Sequence, residues 1–374
     1  MPKKIKKKLT FIEQMNYRRE NNNHIIDKLV KLDWVKPAEN INSCANLFYL
    51  ETYNNKNDEL NNKQKVKVVY SCKNKFCANC AFLRSRKLFS DTYKVLTDIV
   101  NNEINFIAYH LTLTVKNPTI DNYTHYQTIM NKALYLMFKK TSKYKFKNYV
   151  LGYQSSRETT QDVGAKCRDE LHPHIHMLLL MRSDFCYSNG EAKFTKYDIL
   201  EEWNSCLKYF DPTFPTTTQG AFNKIKSKTE AEAAIYGKDV DLQNSAISEV
   251  SKYPVKISDL INMTPDHFRV LYNSLNHARL ITFGGLIKQT RAKLKVKNDD
   301  VIDVFLNENQ YELVKIEMFN LFKNKYQKKE MSEIDLAHHV IVANGDLNRW
   351  TLNRKFTSPE LQHWLNLCDK KNYE

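Results

Sequence analysis

Three groups of residues have types and spacings that could carry chemistry. The first is His172-Pro173-His174-Ile175-His176, followed by the apolar run Met177 to Met181. On an extended strand residues two apart point to one face, so His174 and His176 can offer two imidazoles to a single divalent cation while Ile175 faces the other way. His172 shares their face. Two protein ligands leave coordination positions where a phosphate oxygen can bind. A His-x-His pair alone is more often a plain strand face, because two ligands underdetermine a metal site.

The second group is Glu249-Val250-Ser251-Lys252-Tyr253-Pro254-Val255-Lys256. If the segment before Pro254 is helical, Glu249 and Tyr253 are four apart and share a face. A tyrosine can act as a covalent nucleophile, but a phenol with an ordinary pKa of about 10 needs help, which a metal or the flanking Lys252 and Lys256 could supply. With 21 tyrosines in the chain, a lysine-flanked Tyr is commonplace, and a half-buried helix end is the better explanation of this segment on its own.

The third group is Cys72, Cys77 and Cys80 in CKNKFCANC, with Cys44 upstream. Three thiolates this close can fold round Zn²⁺, and Cys44 completes a tetrahedral four-cysteine site if the chain between Cys44 and Cys72 forms a hairpin. With four protein ligands the site would be structural. Buried, unligated cysteines are the alternative, but apolar burial does not account for the lysines and asparagines in the motif.

These groups need elements to position them. Phe82, Phe89, Tyr93, Leu96 and Val100 recur at helical spacing, predicting a helix with Arg84, Arg86 and Lys87 at its start. Phe106–Val115, Tyr149–Thr160 and Leu171–Met181 read as strands, with amphipathic helices at about 122–140 and 197–209. The connection 161–170 is too short for a crossover helix, so the second and third strands should pair antiparallel. Thr264-Pro265 opens a helix reaching about Leu280, and further helices are expected at 229–236 and 246–253. The fold class is α+β: a central antiparallel sheet with flanking helices, preceded by a small zinc-binding-like module and followed by a helical C-terminal region that includes Tyr311–Lys328. The expected divisions are a basic tail and helix at 1–40, the cysteine module with its basic helix at 41–100, the domain of the central sheet at 101–296, and the C-terminal region at 297–374.

Composition narrows the partners. The 374 residues carry 57 Lys+Arg against 42 Asp+Glu, a formal charge of +15, with pI near 9.2. Such a field favours polyanions, nucleic acid or an acidic membrane surface. No apolar run approaches the roughly 20 residues of a membrane span. The lysine-rich start MPKKIKKK has no apolar segment after it, so it does not read as a secretory signal, and the protein is expected in the cytoplasm.

In their order along the chain the motifs resemble those of the plasmid rolling-circle replication initiators of the HUH endonuclease superfamily. HLTLT at 110–114 is similar to the family's first motif, HPHIHMLL at 172–179 to its histidine-hydrophobe-histidine motif, and EVSKYPVK at 249–256 to its tyrosine motif. CKNKFCANC, Gly152 through Glu158 and Thr159, and ARLITFGGLIK at 278–288 add to the match. The resemblance implies an HUH-like fold, His174 and His176 as ligands of Mg²⁺ or Mn²⁺, and Tyr253 as the nucleophile that attacks a phosphodiester at the replication origin. The products would be a 5′-phosphotyrosine and a 3′-OH primer. Glu249 stands where some superfamily members have a second tyrosine, implying termination by hydrolysis. Either Glu158 or His172 could be the third metal ligand, with Glu158 placed ahead. Pro254 sets Tyr253 at a helix end or kink. The implied partners are origin DNA in single-stranded or extruded form, a host helicase and a polymerase, with Arg84, Arg86, Lys87 and the lysine tail on the DNA backbone. The competing readings are a single-strand transposase or relaxase of the same superfamily, and a zinc-containing DNA-binding regulator without catalysis.

Overall fold

A computed structural model describes residues 9–55, 58–68, 70–139, 143, 145–161, 170–187, 189–225, 250–251, 257–276, 278–296 and 311–330. In chain order its elements are α1 (Phe11–Lys31), α2 (Val35–Ser43), β1 (Leu47–Asn55), β2 (Asp58–Val68), α3 (Ala78–Asn101), β3 (Phe106–Thr114), α4 (Ile120–Phe138), β4 (Val150–Gln161), β5 (Leu171–Arg182) and α5 (Lys196–Phe210). There follow β6 (Gly220–Lys224), α6 (Ile257–Asn262), α7 (Pro265–Asn276), β7 (Ile281–Gly284), α8 (Gly285–Lys293), β8 (Tyr311–Phe322) and β9 (Lys325–Lys329). The chain divides into two compact units.

The first unit takes in residues 1–22, 39–72 and 306–374. Its sheet has the order β2-β1-β8-β9, antiparallel throughout. The spacing of charged residues predicts a helix over Tyr311–Lys328, and the structure instead has β8 and β9 there. The cause is a partner far away in sequence. β8 is rich in β-branched and aromatic residues and runs beside β1, so that Phe319 lies opposite Phe48 and stacks on it at 5.2 Å. The two-residue turn Lys323-Asn324 has positive φ at both positions (46° and 62°), as a right-twisted hairpin requires. Residues 297–310 and 331–374 lie outside the described residues.

The second unit takes in residues 23–38 and 73–305 and carries a sheet of order β6-β3-β5-β4-β7, again antiparallel throughout. The three strands expected between 106 and 181 form its centre, and β4 and β5 pair antiparallel as their short connection requires. β5 is covered on both faces. Ile175, Met177, Leu179 and Met181 pack with α4 and α5 around Trp203, and Leu178 and Leu180 pack with Val95, Leu96 and Ile99 of α3 and Ile287 of α8. Each such side chain contributes roughly 1.5–3 kcal/mol by leaving water. Close approach of α8 to β4 depends on glycine: a Cβ on Gly152 would lie 2.7 Å from the Ile287 nitrogen, and Gly285 has φ +54°. The Thr264 cap is also present, its hydroxyl accepting from the His267 N–H.

These units divide the chain differently from the four sequence segments. The hairpin of β1 and β2 falls in the first unit with β8 and β9, whereas α3 falls in the second. The expected helix at 229–236, and all of that at 246–253 except 250–251, lie outside the described residues.

Candidate functional site

The face of β5 that buries Leu178 and Leu180 changes character toward its start, where the same alternation presents His176, His174 and His172. Register then chooses their neighbours. Glu158 of β4 lies directly opposite His174, and Ser156 lies opposite His176. Opposed residues in an antiparallel pair share a face, so the carboxylate comes to both imidazoles. Glu158 Oε2 is 3.1 Å from His174 Nε2 and 3.2 Å from His176 Nε2. Glu158 is 6% and His174 9% exposed, which removes most of the water that would separate these groups.

The other ring nitrogens have partners of their own. His174 Nδ1 lies 3.1 Å from the His172 carbonyl, which can only accept, so the proton sits on Nδ1 and the lone pair of a neutral ring is on Nε2. His176 Nδ1 lies 3.3 Å from Thr112 Oγ1 on β3. In that tautomer a neutral ring would turn its Nε2 lone pair to a carboxylate oxygen at hydrogen-bond distance. Two acceptors in that position repel unless a cation, a proton or a metal ion, lies between them. The ligand atoms of Glu158, His174 and His176 all fall within 4.8 Å of one another, and this donor set suits a divalent transition metal. His172 is not in the group, because its Nδ1 is held by Asn117 Oδ1 at 2.6 Å on the segment following β3.

Of the four cysteines, Cys44 and Cys72 belong to the first unit and Cys77 and Cys80 to the second. β1 and β2 form the hairpin expected between Cys44 and Cys72. The Cys72 N–H points to Cys44 Sγ at 3.5 Å, while the Phe76 N–H donates to Asn74 Oδ1 and tightens the turn before Cys77. Cys44, Cys77 and Cys80 are buried, and thiolates of this kind suit a soft cation such as Zn²⁺.

Of the second group, Glu249, Lys252, Tyr253 and Lys256 lie outside the described residues. Val250 and Ser251 are described, and both are buried on the α3 side of the sheet. The Val250 carbonyl accepts from Gln154 Nε2 at 3.3 Å, and the Ser251 carbonyl accepts from Ser85 Oγ at 2.7 Å. Gln154 and Glu158 occupy the same face of β4. Sequence reasoning did not single out Gln154, Ser85, Thr112 or Asn117, since only the strand register and the packing of α3 reveal their contacts.

The basic residues at the start of α3 differ in their surroundings. The Arg84 guanidinium donates to the carbonyls of Lys73 and Asn74. Arg86 is exposed, 5.7 Å from the Phe82 ring centroid. Lys87 pairs with Asp91 at 3.3 Å, and Asp91 also faces Arg291 at 3.6 Å. Burial pushes the Asp91 carboxyl up, against the pull of both cations.

The chain matches a family described as replication protein over residues 63–332, more than half its length. It is 27% identical to a protein named "Protein rep" from a Bacillus species over 300 residues, covering 77% of this chain and 90% of that one. Proteins of the same name from Streptococcus pneumoniae serotype 2 (26% over 264 residues, 69% and 75% of the two chains) and Bacillus amyloliquefaciens (27% over 273 residues, 70% and 74%) are also similar. No solved structure matches the chain. The family match spans the histidine strand, its carboxylate partner and the tyrosine motif, in keeping with the likeness to plasmid replication initiators that the order of those motifs carries: the chain belongs to the replication protein family.

Proposed function

We propose that the protein initiates rolling-circle replication of a plasmid by nicking one strand of the origin through a covalent tyrosine intermediate. The observation that carries this reading is the meeting of Glu158, His174 and His176 at the sheet centre, on the face where Val250 and Ser251, three and two residues before Tyr253 in sequence, are held. When bound there, Mg²⁺ or Mn²⁺ would supply Lewis-acid polarisation of the scissile phosphate. Tyr253 Oη forms a bond to phosphorus, the bond from phosphorus to the 3′ oxygen breaks in line, and the phenol proton passes to solvent while the leaving oxygen takes one up. Lys252 and Lys256 stabilise phenolate and phosphate charge. The 3′-OH then primes a host polymerase, with a host helicase opening the duplex ahead of it. Glu249 acts as the base that activates water for hydrolytic release at termination. The four-cysteine group holds a structural Zn²⁺.

The test is incubation with a labelled single-stranded origin oligonucleotide and Mn²⁺, followed by a denaturing gel. A covalent adduct that disappears in Tyr253→Phe is expected. Absence of an adduct from the wild-type protein with every oligonucleotide spanning its origin would reject the catalytic reading, leaving a DNA-binding regulator. Persistence of the adduct in Tyr253→Phe would reject the nucleophile alone. In Glu249→Ala, nicking should survive while hydrolytic release drops; equal loss of both would contradict a separate termination role.

A further inference from the structure

Two backbone carbonyls inside the tyrosine motif, those of Val250 and Ser251, are held by side chains from outside it. Gln154 is fully buried on β4, with Oε1 2.7 Å from Thr92 Oγ1 of α3 and Nε2 3.3 Å from the Val250 carbonyl. The Val250 carbonyl only accepts, so the Gln154 amide nitrogen must face it, which leaves Oε1 to accept from the Thr92 hydroxyl. The same hydroxyl lies 2.7 Å from the Leu88 carbonyl one turn earlier, so its rotor is confined between two acceptors. Seven residues before Thr92, two turns along α3, Ser85 Oγ donates to the Ser251 carbonyl at 2.7 Å. Val250 itself is buried with Val95, Leu96, Leu178 and Leu180.

Resting on the reading of Tyr253 as nucleophile, we infer that Gln154, Thr92 and Ser85 are positioning residues for the nucleophile: they fix the backbone two and three residues ahead of Tyr253 relative to the strand that bears Glu158. The chemistry explains why polar groups are used where the surrounding core is apolar. Hydrophobic packing sets an average distance but tolerates sliding, whereas hydrogen bonds to successive carbonyls fix both height and rotation of the chain. In-line displacement is sensitive to such fixing, since a misplacement of about 1 Å can lower a rate on the order of 100-fold. Gln154 lies four residues from Glu158 on one face of β4, so a single strand references both the metal-capable group and the segment leading to the attacking oxygen.

The experiment is single-turnover adduct formation by the full-length protein with the origin oligonucleotide and Mn²⁺, separating burst amplitude from rate constant. Peptide mapping of the wild-type adduct to Tyr253 comes first; an adduct on another residue sinks the nucleophile reading and this inference with it. With Tyr253 established, Gln154→Met and Ser85→Ala are expected to retain full amplitude and oligonucleotide affinity while the rate constant falls by about 10-fold or more. Thr92→Val should show the same loss and Thr92→Ser should restore the rate. A purely structural role lowers the amplitude, as fewer molecules fold, and leaves the rate constant of the folded ones intact. Rate constants within twofold of wild type in Gln154→Met and Ser85→Ala, or a loss confined to amplitude, overturn the inference while leaving Tyr253 as nucleophile. If Gln154→Met does not fold, Ser85→Ala decides alone, since it removes one hydroxyl at the half-buried edge of the same contact.

Discussion

At the scale of single residues, the informative atoms at the sheet centre are the carboxylate oxygen and two imidazole nitrogens that face one another. Glu158→Gln keeps the shape and removes the charge, so a cation shared with His174 and His176 loses its main electrostatic partner. Mn²⁺ affinity measured by calorimetry is expected to fall at least about 10-fold, the usual scale for losing a ligand's or supporting group's contribution, with adduct formation falling in parallel. Unchanged Mn²⁺ binding in this variant would remove Glu158 from the site. His172→Ala should affect Mn²⁺ binding far less, because Asn117 holds that ring away from the group. The two histidines could be picked out from alternation along the strand, and the carboxylate only as one of two candidates. Choosing between Glu158 and His172 needs the register of β4 against β5, which side-chain type does not encode.

Elements divide sharply in how far sequence reveals them. β3, β4, β5, α4 and α5 follow from local periodicity, since each buries a face that alternates or recurs in the expected way. β8 and β9 do not, because what makes Tyr311–Lys329 extended is the ladder to β1, more than 250 residues earlier in the chain. Phe319→Ala removes the ring stacked on Phe48 and should destabilise the first unit by about 3 kcal/mol, read by denaturant unfolding. A loss under about 0.5 kcal/mol would argue against this pairing. Gly285→Ala tests the second unit: a Cβ there would collide with the Leu151 carbonyl at a positive φ, and a lower melting temperature is expected. The cysteine group adds a metal test, in which elemental analysis of untagged protein should give about one zinc per chain and Cys72→Ser should lower it.

Across the whole molecule, the formal charge of +15 does not act as one field. Part of it is committed internally: Arg84 to backbone carbonyls before Cys77, Lys87 and Arg291 to Asp91. Arg86 is exposed on the same helix, although surrounding chain partly desolvates its guanidinium and lowers its pKa. If it meets a phosphate, Arg86→Ala should reduce the slope of log K against log salt by about 1 in an oligonucleotide-binding titration. Arg84→Ala should leave the slope nearly unchanged and lower stability instead, and the opposite ranking would reverse the assignment.

The doubly covered strand β5 has a final consequence, for the quality of any sample. Because alternate residues serve opposite faces, a slip of one position in its pairing would drive His174 and His176 into the apolar layer beneath α4 and α5 and turn Ile175 and Met177 outward from it. No partly active form with a misaligned sheet is therefore expected. In a refolded preparation the count of molecules able to react should equal the count with a native core, so that titrating reactive sites becomes a measure of correct strand alignment.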